Sequence, residues 1–470
     1  MRKTWWLAAL IVLGAPVLTP VSASRPDASD PGQVGPYAVG HTSFVIEDAS
    51  RTAVFNTFPG PVPVAIPRPI PVHVFYPVDL DAITDATPEA TYPLDMIYRP
   101  TDPRFMTTST EWEVQGLDRA YQEPMPSANG PFPLVMFSPG WGGAAWSAWF
   151  VGTRLASHGF VVAILYHYGD RIWSYEPPRD HLGVASLNRP LDVSFALTHL
   201  LARTAVAGDL LEGAIDPDKV AASGWSLGGY AAMTLAAGDD SVCDKVFGAF
   251  PDDPPPSTCV PAMPDPRIRA IAPLDGSTQL LWFHEMARIS VPTLGIGQEW
   301  GYLLATAPAG WASWQARLHA ASQGHPAYRV DVTGAWHVTF SNLCEALPIL
   351  LAHGMVNPAN YEAMRQARCG APLPTPEAHR IVTQYLVAFL KANLARESGY
   401  QHVLTPGYAL TSEPMVEFFV TEKRNARAIE DDWPDEFVYF AHQPGKATAT
   451  AQRNPAGNLP VPHTGMIDQP

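Results

Sequence analysis

The hexapeptide Gly224-Trp225-Ser226-Leu227-Gly228-Gly229 is where residue type and spacing speak most directly of chemistry. This G-x-S-x-G follows the short apolar run Val220-Ala221-Ala222 and opens into the small residues Ala231-Ala232-Met233, a pattern of strand, sharp turn and helix. Glycines flanking Ser226 leave room for the neighbouring strand and helix, and the unpaired N–H groups at the helix start face a developing oxyanion. The same motif inside a loop arises by chance. The strand-turn-helix frame is what makes Ser226 the candidate nucleophile.

A hydroxyl attacks a carbonyl only when a base takes its proton, so a histidine is required downstream. Candidates include His284, His319, His325, His337 and His353. His337, in Gly334-Ala335-Trp336-His337-Val338-Thr339-Phe340, directly follows the run ending at Val332 that is expected to be a late sheet strand. The others mostly lie in helix-like or inserted sequence and read as surface or capping residues. The third member, which holds the imidazole, must be a carboxylate between serine and histidine in chain order. Asp275 follows Ala270-Ile271-Ala272-Pro273-Leu274, and Glu299 stands in Gly297-Gln298-Glu299-Trp300-Gly301; both are strand-end acids, and the residues alone leave the choice open. A second oxyanion donor is expected from the Gly-rich Ser138-Pro139-Gly140-Trp141-Gly142-Gly143. The backbone N–H groups of Trp141 and Leu227 are therefore expected to form the hole, with the Trp141 and Trp225 side chains beside the substrate.

Such a set needs a rigid scaffold. From Pro133 onward apolar runs alternate with helical patterns: Leu134–Phe137, a helix over 149–158, Phe160–Leu165, a helix over 189–201, then strands at 220–222, 269–272, 291–296 and 328–332. Continuous apolar strands separated by helices imply an α/β chain with a mostly parallel, doubly wound sheet. A final amphipathic helix is expected over 377–394, through Ile381, Tyr385, Leu386, Phe389 and Leu390. The expected organisation is a leader at 1–23, a strand and loop extension at 24–130 packed on the core, and a catalytic domain at 131–396. That domain carries excursions at 239–266 and 344–374, and an acidic, Pro-rich tail over 397–470 has no readable role.

With 47% hydrophobic and 16% charged residues, the 470-residue chain can bury a large core. A formal charge of -15 argues against nucleic acid and anionic membranes as partners. Met1-Arg2-Lys3, the apolar run from Trp5 to Leu13 and Val21-Ser22-Ala23 make a secretory signal peptide cut after Ala23; Gly14 and Pro16 interrupt the run before it could span a membrane. No anchor is expected after cleavage, and the mature chain is expected to be secreted or periplasmic. In an oxidising compartment Cys243, Cys259, Cys344 and Cys369 are expected as two local disulfides, 243 with 259 and 344 with 369, each stapling a Pro- or Gly-containing excursion.

From about Pro131 to Leu394 the chain resembles the α/β hydrolases, in particular their platelet-activating-factor acetylhydrolase and dienelactone-hydrolase-like branch. The resemblance is carried by Arg189-Pro190-Leu191-Asp192-Val193-Ser194-Phe195 and Ile215-Asp216-Pro217-Asp218-Lys219-Val220. In the acetylhydrolases the acid follows the strand after the nucleophile helix, in an Ala-Leu-Asp context, and Pro273-Leu274-Asp275 occupies that place, so the resemblance selects Asp275. Pro139-Gly140-Trp141, Arg154–Val162 and Gly224-Trp225-Ser226 are also similar to polyester-hydrolysing cutinases, whose acid, however, aligns with Gly301. The resemblance implies hydrolysis of short-chain carboxylic esters by Ser226, His337 and Asp275 without cofactor or metal. A polyester or β-diketone polymer substrate is the alternative, and a non-catalytic hydrolase-fold binding protein a third reading.

Overall fold

The computed structural model describes residues 29–56, 63–93, 111–113, 119–143, 145–170, 182–243, 259–298, 325–352 and 356–421. The expected leader, Glu299, Gly301, His319, His353 and the segment 422–470 lie outside the described residues.

The chain enters through an antiparallel hairpin of β1 (Ala38–Asn56) and β2 (Pro63–Val78). Two short strands, β3 (Thr91–Pro93) and β4 (Glu111–Glu113), pair with each other, and β5 (Tyr121–Gln122) lies parallel to β1. Then come β6 (Phe132–Ser138), β7 (Val161–Leu165), β8 (Ile215–Trp225), β9 (Ile268–Leu274), β10 (Thr293–Gln298), β11 (Ala327–Val332) and β12 (Val416–Thr421). They form one ten-stranded sheet in the order β12-β11-β10-β9-β8-β6-β7-β2-β1-β5, with β3 and β4 apart from it. The six central strands from β7 to β11 are mutually parallel, and β2 and β12 flank them antiparallel.

The apolar runs are continuous because both sheet faces are covered, and alternation splits each run between two cores. In β6, Val135 and Phe137 enter one core while Leu134 and Met136 enter the other; in β7, Val162 and Ile164 oppose Val161, Ala163 and Leu165. The first face is closed by α1 (Trp149–Ser157), the second by α2 (Leu182–Arg203) and α3 (Leu227–Ala237). A short α4 (Phe283–Met286) precedes β10, and α5 (Leu343–Ala352), α6 (Pro358–Arg368), α7 (Thr375–Leu390) and α8 (Pro406–Ser412) follow β11; α7 packs on α1.

The elements differ from expectation in instructive places. β8 begins at Ile215, not Val220, because the turn-forming Asp216-Pro217-Asp218 interrupts its pairing without ending it: Pro133 pairs with Asp216 and Leu134 already with Val220. Residues 406–421, which the sequence assigns to the tail, supply α8 and edge strand β12. Val416 and Phe418 are buried there in period-two alternation with exposed Glu417 and Phe419, and Glu413 accepts from Arg380 of α7 at 2.6 and 3.0 Å. Cys243 bonds Cys259 and Cys344 bonds Cys369, the two local pairings. No helix among the described residues is long and apolar enough to cross a membrane.

Among the described residues five histidines, His41, His73, His158, His167 and His379, are buried, and desolvation holds all five below the ordinary range, with His158 and His167 at about 4 and His73 and His379 at about 3. The native state keeps them neutral at pH values where the unfolded chain, with imidazoles near ~6.5, binds protons. Burial acts oppositely on Asp331, raised to about 6, which takes up a proton on folding in the same window. Stability is therefore fully present above pH ~6.5 and falls as pH drops toward ~4, with unfolding taking up about four protons net near pH 5, or ~1.4 kcal/mol per pH unit for each. Denaturant midpoints measured from pH 7 to pH 4 check this; a flat profile would contradict it.

Candidate active site

β8 ends at Trp225 and α3 begins at Leu227, so Ser226 alone turns the chain, at φ 57° and ψ -119°. A serine there costs ~1–3 kcal/mol and persists only if its surroundings fix it. They do: its N–H donates to the Leu274 carbonyl at 3.0 Å, and its carbonyl accepts from the N–H groups of Gly229, Tyr230 and Ser277 at 2.9, 3.2 and 3.0 Å. A Cβ on Gly228 would stand 1.8 Å from the Ser138 carbonyl oxygen, and one on Gly224 2.4 Å from the Gly228 backbone. The glycine frame is thus required by backbone contact between the end of β6 and the start of α3.

The three residues singled out for acid, base and nucleophile come together. His337 opens a 3-10 turn after β11, and its Nε2 accepts from Ser226 Oγ at 2.9 Å. Its Nδ1–H donates to Asp275 Oδ2 at 2.5 Å. Asp275, at the end of β9, is fully buried and also takes a positive φ, 42°, with its N–H on the Ile296 carbonyl at 2.6 Å. Gln298, closing β10, donates its side-chain N–H to Asp275 Oδ2 at 2.5 Å and its backbone N–H to Oδ1 at 3.3 Å. The buried carboxylate is thereby aimed through one oxygen while the other is occupied. Gln298 was missed by sequence reasoning; its signal was its place at a strand end beside the rival acid Glu299.

Ser138 of β6 pairs with Gly224 of β8, which brings the expected oxyanion loop beside the serine turn. Leu227, first residue of α3, has an N–H with no place in the helical ladder. The Trp225 ring fills the space that a Cβ on Gly140 would need, 2.6 Å away, and lies 5.0 Å from the His337 ring. Its Nε1–H donates to the His337 carbonyl at 2.9 Å. With 8% exposure, Trp225, which the sequence places beside the substrate, also braces the loop and the imidazole. Trp146 and Trp149 are core residues, and Trp141 is half-buried. The 3-10 turn is anchored in turn, because Asn342 donates its N–H to Ser147 and accepts the N–H of Phe150.

A second Ser-His-Asp chain lies under the first. Ser138 Oγ donates to His167 Nε2 at 2.9 Å, and His167 Nδ1–H donates to Asp192 Oδ2 at 2.9 Å. The three are buried, and Asp192 is held well below the carboxylate range by Arg68 and Arg51 despite its burial. Ser138 also accepts from Arg189 Nη1 at 3.1 Å. Enclosed and already accepting a charged donor, Ser138 has no path to a substrate. Among the described residues no cluster of His, Cys, Asp and Glu is arranged to hold a metal ion.

No family model matches the chain. Over 112 residues it is 31% identical to Cutinase 1 of Thermobifida cellulosilytica and to a cutinase of Thermobifida fusca strain YX. That stretch is 24% of this chain and spans 37% and 32% of those curated relatives, well under two thirds of either. The backbone matches a ferulic acid esterase from Streptomyces cinnamoneus with a TM-score of 0.51 and 19% identity, over 82% of this chain and 96% of that one. At this identity the likeness establishes the fold, and the mostly parallel sheet with helices on both faces is an α/β-hydrolase fold.

Because Gly228 meets backbone, nothing flexible can yield to an added methyl. Gly228→Ala should lower the thermal midpoint by many degrees or prevent folding, whereas Gly407→Ala, with nothing within 4 Å, should change stability by less than about 0.5 kcal/mol. Calorimetry of the two variants side by side checks the contrast.

Proposed function

We propose that the chain is a serine hydrolase that cleaves carboxylic esters through an acyl-enzyme. The observation that carries this reading is the unbroken path from Ser226 through His337 to Asp275, with the serine half-buried on a strained strand-to-helix turn. In the reaction Ser226 Oγ attacks the ester carbonyl carbon while its proton passes to His337 Nε2. The buried Asp275 carboxylate holds the imidazole in the tautomer that accepts this proton and stabilises the imidazolium formed. The backbone N–H groups of Leu227 and Trp141 take the oxyanion. Collapse breaks the ester C–O bond, and the leaving alkoxide receives the proton from His337. Water then repeats the sequence on the acyl-serine, releasing the carboxylic acid and restoring Ser226.

Support for an ester, over another acyl compound, comes from the partial match to two proteins named cutinases and from the fold shared with one titled a ferulic acid esterase. Asp275 follows β9, the strand after the nucleophile helix, as in the acetylhydrolases that the sequence resembles. Export fits this reading, since two disulfides suit an oxidising compartment. Ser226→Ala should abolish labelling by a fluorophosphonate probe and lower hydrolysis of p-nitrophenyl acetate by ~10⁴-fold or more. Asp275→Asn should approach the same loss while Glu299→Gln retains most activity; the reverse order would move the acid to Glu299.

A polymeric ester is the second reading, favoured by the cutinase match and by the half-buried Trp141 at the oxyanion loop. It requires soluble acid to be released from a polyester film at a rate that Ser226→Ala abolishes. Activity confined to dissolved short-chain esters would exclude it.

A further inference from the structure

Arg189 has no part in the reaction as drawn, yet it is the largest fully buried side chain among the described residues. It lies in α2, with its guanidinium packed on the backbone of the oxyanion loop. All five of its N–H donors are engaged. Nε donates to Asp170 Oδ2 at 2.7 Å, and Nη2 donates to the same oxygen and to the Gly140 carbonyl at 2.8 Å. Nη1 donates to the Pro139 carbonyl and to Ser138 Oγ at 3.1 Å. Asp170 uses its other oxygen, Oδ1, to accept the Gly142 N–H at 3.1 Å. One buried ion pair therefore grips the loop at four points on either side of Trp141: the Ser138 side chain, the carbonyls of Pro139 and Gly140, and the amide of Gly142.

The grip has a directional consequence. In a trans peptide the carbonyl and the following N–H point to opposite sides. With the Gly140 carbonyl drawn down onto Arg189, the N–H of Trp141 is turned up and away from it. We infer that Arg189, with Asp170 as its counter-ion, is the positioning residue of the oxyanion hole: it fixes the peptide plane whose N–H is proposed to meet the substrate oxyanion. The inference rests on the serine-hydrolase reading. A burial this costly for a guanidinium is offset only by its complete set of partners, and no other side chain could span them, since lysine offers three donors at a point and no planar fork.

The test compares wild-type protein with Arg189→Lys, which keeps the charge and loses the fork. Three quantities are read: kcat and KM for p-nitrophenyl acetate, and the inhibition constant of an aryl trifluoromethyl ketone, which adds Ser226 and leaves an oxyanion in the hole. If Arg189 sets the hole, kcat falls about 10²-fold, KM stays within about twofold, and ketone affinity falls in step with kcat, because a misplaced donor is felt only where charge develops. Unchanged kcat and ketone affinity would overturn the inference and leave the triad standing, and so would a loss confined to KM or to thermal stability. Wild-type protein that fluorophosphonate does not label would overturn both. Should Arg189→Lys yield no folded protein, Asp170→Asn decides: it releases the counter-ion and should lower kcat at least about tenfold with KM preserved, whereas wild-type kcat in that variant would overturn the inference.

Discussion

The architecture of the site depends on the contact between two backbones: the end of β6 and the first turn of α3. The Ser138 carbonyl sits where a side chain on Gly228 would begin, and the main chain around Gly228 fills the place of one on Gly224. Only glycine permits this approach, and its effect is to set the loop after β6 against the N-terminus of the nucleophile helix. The proposed reaction draws on that closeness, asking two backbone donors from separate elements, those of Leu227 and Trp141, to serve a single oxygen. A looser junction would leave the same residues in the same order without a common point to act on.

Chemical identity does not distinguish the two Ser-His-Asp chains. Ser226, His337 and Asp275 share atom pattern and nearly share distances with Ser138, His167 and Asp192. Setting separates them. Ser226 is thrust out of a regular strand by a positive φ, with a partly exposed imidazole above it; Ser138 continues its strand, buried, between an imidazole and a guanidinium. Burial and the Arg189 charge pull His167 down to about 4, so it is neutral and serves as a fixed acceptor for the Ser138 hydroxyl. The lower chain is a brace built from the same parts to which the proposed reaction is assigned, without the strain and the opening.

What could be read from the sequence follows the range of the interactions involved. The serine turn and the histidine loop were legible because each is announced locally, by glycines or by the end of an apolar strand. The acid was harder, since Asp275 and Glu299 are both strand-end carboxylates and the residues alone leave them level; what distinguishes Asp275 is its hydrogen bond to His337 across the sheet, 62 residues along the chain, which spacing does not encode. Arg189 stands in the sequence only as part of a family-like run, because its loop partners lie about fifty residues upstream and Asp170 lies 19 upstream, all on other elements. β12 was lost in a segment whose Pro-rich and acidic surroundings hide six residues of alternation, and it is secured by the Arg380 to Glu413 pair, again a long-range contact.

The excursion after the histidine loop shows how such a site tolerates inserted structure. The chain leaves the 3-10 turn at Phe340, builds α5 and α6, and returns at Leu373, whose N–H bonds the Gly334 carbonyl at 3.0 Å, three residues before His337. Both ends of the excursion are therefore tied to the loop that carries the imidazole. The Cys344 to Cys369 bridge joins the start of α5 to the residue after α6, closing the pair of helices at its base. By removing freedom chiefly from the unfolded chain, that bridge adds to the packing of Ala346, Leu347 and Leu350 in the core of the first sheet face. Strain at Ser226 and Asp275 lies at β-strand ends, while the buried charges beneath them come from α2, through Arg189 and Asp192, and from Asp170 after β7. The inserted helices share their anchorage with the histidine loop, since Ala346 of α5 donates its N–H to the Asn342 carbonyl beside the histidine turn at 2.9 Å.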